Sequence, residues 1–251
     1  MAAVKLSVRN LSKSYTLHPV LDVKELSFGD HGLEGLIGPN GAGKSTLLGL
    51  LTRRIAPTTG EIDFETEERT YSLGECLAHD VARLGLIKTN QRIQNFDSLT
   101  IRDSLRLAAV SPARETLRSI FRGDQTDAAV EAEIDSYLAE FPFSDPDGYA
   151  NSGGEKKLLD ILRCLIARPR MLLMDEPTAG LPDDLTQKVM SHVTKKVDAG
   201  EMTVVIVEHD LELIWSYCAY VHFLSEGELL FHGPPDKVKE NRTVAEKYMG
   251  L

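Results

Sequence analysis

Leu33-Glu34-Gly35-Leu36-Ile37-Gly38-Pro39-Asn40-Gly41-Ala42-Gly43-Lys44-Ser45-Thr46-Leu47-Leu48 is the stretch on which the reading of this chain turns. Residues 33–37 have the length and apolar character of a short buried strand. Residues 38–45 match G-x-x-x-x-G-K-[ST], a loop whose backbone N–H groups cradle phosphates while its lysine reaches the β- and γ-phosphates. Thr46 to Leu51 reads as the helix that follows, so strand, glycine loop and helix come in the order this motif requires. The helix N-terminus adds partial positive charge to an anion held there. Lys44 is therefore expected to bridge the β- and γ-phosphates and Ser45 to ligate Mg²⁺. Gly38, Pro39, Asn40, Gly41, Ala42, Gly43 and Thr46 complete the cradle. The competing reading is a glycine turn with a solvated lysine.

Two distant segments give the loop a purpose. Met171-Leu172-Leu173-Met174 is followed by Asp175 and Glu176, so both carboxylates emerge at the carboxyl end of an apolar strand, where open α/β sheets bind ligands. Asp175 is expected to hold Mg²⁺ directly or through water. Glu176 points elsewhere and can polarise a water for in-line attack on the γ-phosphate, a contribution of about 10²–10⁴-fold. His209 follows the strand-like Thr203-Val204-Val205-Ile206-Val207-Glu208 and can hydrogen-bond the γ-phosphate and report its loss. His18, His31, His79, His192, His222 and His232 read as incidental.

Ser152-Gly153-Gly154 opens a helix after a proline-rich break, which makes a second anion site. One nucleotide needs one cradle, so the second suggests service to the nucleotide of another subunit in a head-to-tail pair. An N-cap with permissive glycines is the alternative. Tyr15 can stack on a base for about 1–3 kcal/mol, or pack against strand neighbours. Together these features point to an engine driven by ATP hydrolysis.

The length, 251 residues, fits one large domain or a domain with a subdomain. Formal charge is 28 − 38 = −10, without a Lys/Arg block, which argues against a nucleic-acid partner. Cys76, Cys164 and Cys218 have no metal-like spacing; Cys164 and Cys218 read as small core residues in helical stretches, and a reducing compartment is expected. No apolar run approaches 18 residues, and the first residues lack the apolar run of a signal peptide. The expected strands cover Leu6–Leu11, Val20–Phe28, Leu33–Ile37, Met171–Met174, Thr203–Val207, Val221–Leu224 and Glu228–Phe231. Expected helices include Ile101, Leu105 and Leu107 in one, then Ala128–Leu138, Ser152–Ala167, Asp183–Val197, Leu211–Tyr217 and Val244–Tyr248. The fold class is α/β: a mostly parallel sheet covered on both faces, with an N-terminal antiparallel β subdomain and an inserted helical subdomain. The core is expected over 1–91 and 157–233, the helical subdomain over about 92–156, and a helical tail over 234–251.

With these motifs in order, the chain resembles the ATP-binding cassette (ABC) family across essentially its whole length. Gly38 to Thr46 looks like its Walker A motif, Asn151 to Glu155 like its signature and Met171 to Glu176 like Walker B. His209 falls at the switch histidine and Tyr15 at the adenine-stacking aromatic. In Gly85 to Gln91, Gln91 looks like the Q-loop glutamine, which senses Mg²⁺ and takes part in catalysis. The resemblance implies a P-loop NTPase (RecA-like) core, ATP and Mg²⁺ as ligands, and a dimer with a second ABC ATPase subunit, identical or paralogous. In that dimer Ser152, Gly153 and Gly154 close over the partner's ATP. Asn151, Glu155 and Pro182 depart from the family's usual residues.

The pattern is further similar to cassettes of branched-chain amino acid and urea importers, through Gly85–Gln91, Asp175–Leu181, Val207–Asp210 and the ending Glu246–Gly250. That implies a separate transmembrane permease received near Gln91, Ile93, Phe96 and Leu99, a place on the cytoplasmic face of the cell membrane, and a small polar solute of amino acid, urea or amide type. The alternatives are a soluble cassette ATPase of iron–sulfur cluster assembly, similar at Ser152–Lys157, or an exporter ATPase.

Overall fold

The computed structural model describes residues 4–89, 99–109, 128–150 and 152–249. Two compact units divide it: residues 1–88, 170–176 and 193–251 form the first, and residues 89–169 and 177–192 the second.

The first unit holds two sheets. One is antiparallel, in the order β2-β1-β4-β5, from β1 (Lys5–Ser14), β2 (Pro19–Phe28), β4 (Thr59–Glu65) and β5 (Thr70–Ser72). Pro19 is accommodated because β2 is an edge strand, where no ladder N–H is needed at that position. Leu6 and Val8 point into the core, and the alternation shifts to Leu11 at an irregularity against β4, where Asn10 has φ 47°.

The other sheet runs β10-β9-β3-β8-β7-β6. Its strands are β3 (Leu33–Ile37), β6 (Leu86–Lys88), β7 (Met171–Asp175), β8 (Thr203–Val207), β9 (Tyr220–Ser225) and β10 (Glu228–Gly233). All neighbours from β9 to β6 pair parallel, and β10 returns antiparallel on β9. The hairpin turn needs left-handed backbone at both Glu226 (φ 53°) and Gly227 (φ 82°), the geometry that matches strand twist. Every residue of β3, β7 and β8 is buried, which is why these strands are mostly apolar without alternation, with Glu34, Asp175 and Thr203 as the buried polar exceptions.

The helix Lys44–Leu51 buries Leu47, Leu48, Leu50 and Leu51 in one core with Leu6, Val8, Leu21 and Val23 of the first sheet and Leu36, Leu173 and Val205 of the second. Each such leucine contributes about 1.5–3 kcal/mol of burial. The packing fixes the helix that leaves the glycine loop, and with it the loop. Because β3 neighbours β8 and β8 neighbours β7, the carboxyl ends of these three strands lie in a row.

The second unit is helical: Ile101–Ala109, Ala128–Glu140 and Gly153–Ile166, with the first turns of Asp183–Asp198. Ile101, Leu105, Ile134, Tyr137 and Phe141 are buried. His192 packs against the Tyr137 and Phe141 rings and meets Glu140 at 3.1 Å. Arg106 forks onto Glu131 (2.7 and 3.0 Å), and Arg102 reaches Asp135 and Asp147.

The structure departs from the sequence expectation in several places. β4, β5, β6 and the helices Ala78–Arg83 and Pro235–Lys239 are additional elements. Leu107 is exposed, since it lies two residues from Leu105 and so on another face of the helix. Cys218 is buried but follows the helix Leu211–Tyr217 rather than lying within it.

Candidate nucleotide-binding site

The loop 38–45 is held by its neighbours before any ligand arrives. A side chain at Gly38 would collide with the Leu224 carbonyl, so only glycine lets β3 pass into the loop beside β9. Gly41 (φ 80°) and Gly43 (φ 102°) take left-handed backbone, and at Gly41 a Cβ would meet open space. Gly41 is thus required for its dihedral rather than for packing. Ala42 N–H donates to the Pro39 carbonyl at 3.2 Å, and the Ala42 carbonyl accepts from Gly227 N–H at 3.0 Å, which shelves the loop on the β9–β10 turn.

Lys44 begins the helix and is buried, its Nζ donating to the carbonyls of Gly38 (2.6 Å) and Pro39 (3.1 Å). Burial pushes its pKa down, opposed by the nearby charges of Glu176 and Asp175. A cation partly stripped of water and folded over a loop is prepared for an anion, and a triphosphate fits that demand. Ser45 beside it is exposed.

Asp175 ends β7 in register with Val207, almost fully buried, with its Oδ2 2.8 Å from Lys88 Nζ. The next residue turns sharply: Glu176 has φ 48°, a conformation that costs a non-glycine residue free energy and that clusters at functional sites. Its N–H donates to the Val207 carbonyl at 2.8 Å, and its Oε1 lies 3.1 Å from His209 Nε2. His209 follows β8, with its N–H donating to Glu208 Oε2 at 3.1 Å. The first unit therefore brings Lys44, Asp175, Glu176 and His209 to one row of strand ends. The oxygen donors there, the Asp175 carboxylate and the Ser45 hydroxyl, suit a hard cation such as Mg²⁺.

In the second unit, Ser152 caps the helix Gly153–Ile166. Its Oγ accepts from Glu155 N–H at 3.1 Å, while Ser152 N–H donates to Glu155 Oε2 at 3.2 Å. Ser144 N–H donates to the other oxygen of Glu155 at 2.7 Å. The capping reading of Ser152 is therefore realised, and the residue and Gly153 also stand exposed. Among the described residues nothing lies within 4 Å of a Cβ position at Gly153, so its bareness is not spent on packing against them. Tyr15 is exposed, with Lys13 Nζ 5.0 Å from its ring centre. Gln91 and Asn151 lie outside the described residues, as do Ile93 and Phe96.

The ABC transporter family model matches residues 22–179. The chain belongs to the ABC transporter family. The chain is 30% identical over 223 residues to the high-affinity branched-chain amino acid transport ATP-binding protein BraF of Pseudomonas aeruginosa, covering 86% of each chain. It is 31% identical over 239 residues to the phosphonates import ATP-binding protein PhnC of Bordetella parapertussis, covering 92% of this chain and 91% of the relative. Among solved structures, an ATP-binding cassette of an ABC transporter in its ADP conformation matches with a TM-score of 0.78 and 26% identity over the whole of both chains. The chain is thus an ATP-hydrolysing transport cassette with the P-loop NTPase fold.

Three participants escaped the sequence. His222, read as incidental, is buried and bonded through Nε2 to Glu34 Oε2 at 2.8 Å. It braces the sheet rather than the site, through pairing between strands distant in sequence. Lys88 reaches Asp175 across 87 positions. Tyr248 touches the main chain of His209. No residue spacing announces such contacts.

Proposed function

We propose that this cassette uses Mg²⁺ and a second ABC ATPase subunit to hydrolyse ATP at the cytoplasmic face of the cell membrane, powering a separate permease for a small polar solute of amino acid type. The observation that carries the hydrolytic half is the pairing of Glu176, held at φ 48°, with His209 beside the buried Lys44. Glu176 takes a proton from the attacking water, and His209 orients that carboxylate and holds the γ-phosphate oxygen. Lys44 and the loop Gly38, Pro39, Asn40, Gly41, Ala42, Gly43, Ser45 and Thr46 bind the triphosphate. Bound Mg²⁺ supplies a charge that neutralises the phosphate oxygens, and Ser45, Asp175 and Gln91 are the residues assigned to it. Tyr15, exposed at the end of β1, stacks on the base.

The Ser152-Gly153-Gly154 helix tip, exposed at Ser152 and Gly153, serves the partner subunit's nucleotide. Its glycine, bare towards open space, is the feature that supports this. Translocation is assigned to the separate permease; among the described residues no helix is long and apolar enough to cross a membrane.

The amino acid reading is supported by the likeness to the relative named for branched-chain amino acid transport. Phosphonate is a second cargo with support, from a relative of similar identity. Extraction of tagged protein from membranes in detergent, followed by reconstitution in vesicles, separates them. Recovery of a polytopic partner whose ATPase is stimulated by leucine supports the first reading, and stimulation by an alkylphosphonate the second. A wholly soluble complex contradicts both.

A further inference from the structure

The C-terminal helix Arg242–Met249 reaches the main chain of His209 and the β9–β10 turn. Eight residues are too few for an isolated helix to persist in water, so its contacts hold it. Asn241 Oδ1 accepts from Val244 N–H at 3.2 Å, and Val244 is buried. One turn on, Tyr248 projects from the same face, its ring 6.3 Å from that of Phe223 in β9. The Tyr248 hydroxyl donates to the His209 carbonyl at 3.3 Å. Adjacent Lys247 meets Glu226 at 2.8 Å, next to Gly227, whose N–H holds the Ala42 carbonyl of the phosphate loop.

We propose that Tyr248 is a positioning residue for ATP hydrolysis, holding the His209 main chain so that its imidazole stays on Glu176. The proposal rests on the hydrolytic reading above. His209 is then fixed from two sides: its N–H by Glu208 and its carbonyl by Tyr248. Its ring remains half exposed and free to meet Glu176. Burial and the charges of Glu208 and Asp210 push the Tyr248 phenol up, so it keeps the proton it donates. The same helix, through Lys247 and Glu226, touches the shelf of the phosphate loop. It therefore links the His209 main chain to the turn on which the glycine loop rests.

The test is Tyr248→Phe in the full chain, which removes one oxygen and keeps the ring. The expected result is a kcat lower by about three- to tenfold, the loss of one modest hydrogen bond. The KM for ATP and the urea midpoint stay unchanged. The ¹⁵N signals of the His209 imidazole, assigned with His209→Gln and recorded without nucleotide, should shift. Wild-type turnover with an unmoved His209 spectrum overturns the proposal, as does a parallel fall of kcat, KM and midpoint, which marks a merely structural residue. If the wild-type chain hydrolyses no ATP, the hydrolytic reading fails instead, and the His209 spectrum alone decides whether Tyr248 positions it.

Discussion

His209 meets Glu176 at 3.1 Å beyond the ends of β8 and β7, whereas His222 meets Glu34 at 2.8 Å within β9 and β3. The residue types and separations are nearly the same, but the surroundings are not. The His209 and Glu176 side chains are 40% and 29% exposed; those of His222 and Glu34 are 4% and 1% exposed. Glu34 also accepts from Gly29 N–H at 2.7 Å and His31 N–H at 3.2 Å, so its carboxylate is committed on both oxygens. A pair this buried, its carboxylate also tied to the main chain at Gly29 and His31, is held in one arrangement. A pair on the rim of the sheet, on backbone strained at Glu176, can admit a water and a phosphate. Place on the strand, rather than chemical type, separates the pair proposed for hydrolysis from the pair that braces the sheet.

The largest effect that sharpens this contrast is expected for Glu176→Gln. Turnover should fall by about 10²–10⁴-fold while ATP still binds, as for loss of a general base. Equilibrium binding of a fluorescent ATP analogue and phosphate release check both halves, and brisk phosphate release would remove Glu176 from that role. Glu34→Gln should act on stability instead. Replacing one buried, charged acceptor costs about 1–3 kcal/mol, visible as a lower urea midpoint, with kcat within about twofold. A fall in kcat at unchanged midpoint would move Glu34 into the chemistry.

The smallest signal reads out the burial of Cys218 beside the inner pair. Burial, and then the charge of Glu34, push the Cys218 thiol up to about 12. A group that ionises there is almost wholly thiol at pH 8, and the thiolate is the reacting form. Iodoacetamide at pH 8 should leave Cys218 unlabelled in the folded protein and label it once urea unfolds the chain. Prompt labelling of the folded protein would mean that Cys218 is open to solvent rather than buried beside Glu34.

These two pairs also mark how far the sequence could be read. β3, β7 and β8 were legible because a strand buried on both faces is apolar at most positions, polar residues entering only at Glu34, Asp175 and Thr203. The phosphate loop was legible because its function fixes residue types at fixed offsets. β4 was not, since only Ile62 and Phe64 of its seven residues are buried and its place depends on pairing Ile62 with Val8, 54 positions earlier. β6 has three residues and derives its definition from β7. Glu176 and His209 were each assigned from their strand ends, but their contact was not. The role of His222 was missed for the reason that Tyr248 was: a histidine or tyrosine declares its partner only after the strands are ordered.

One paired experiment addresses the contrast most directly: steady-state ATPase and urea unfolding on His209→Ala and His222→Ala, side by side with the wild type. His209→Ala should lose at least about tenfold in kcat and keep its unfolding midpoint. His222→Ala should lose about 3 kcal/mol of stability, the cost of stranding a buried charge, and keep its kcat at temperatures where it is folded. The account is contradicted if His209→Ala turns over at the wild-type rate, or if His222→Ala abolishes turnover with its stability intact.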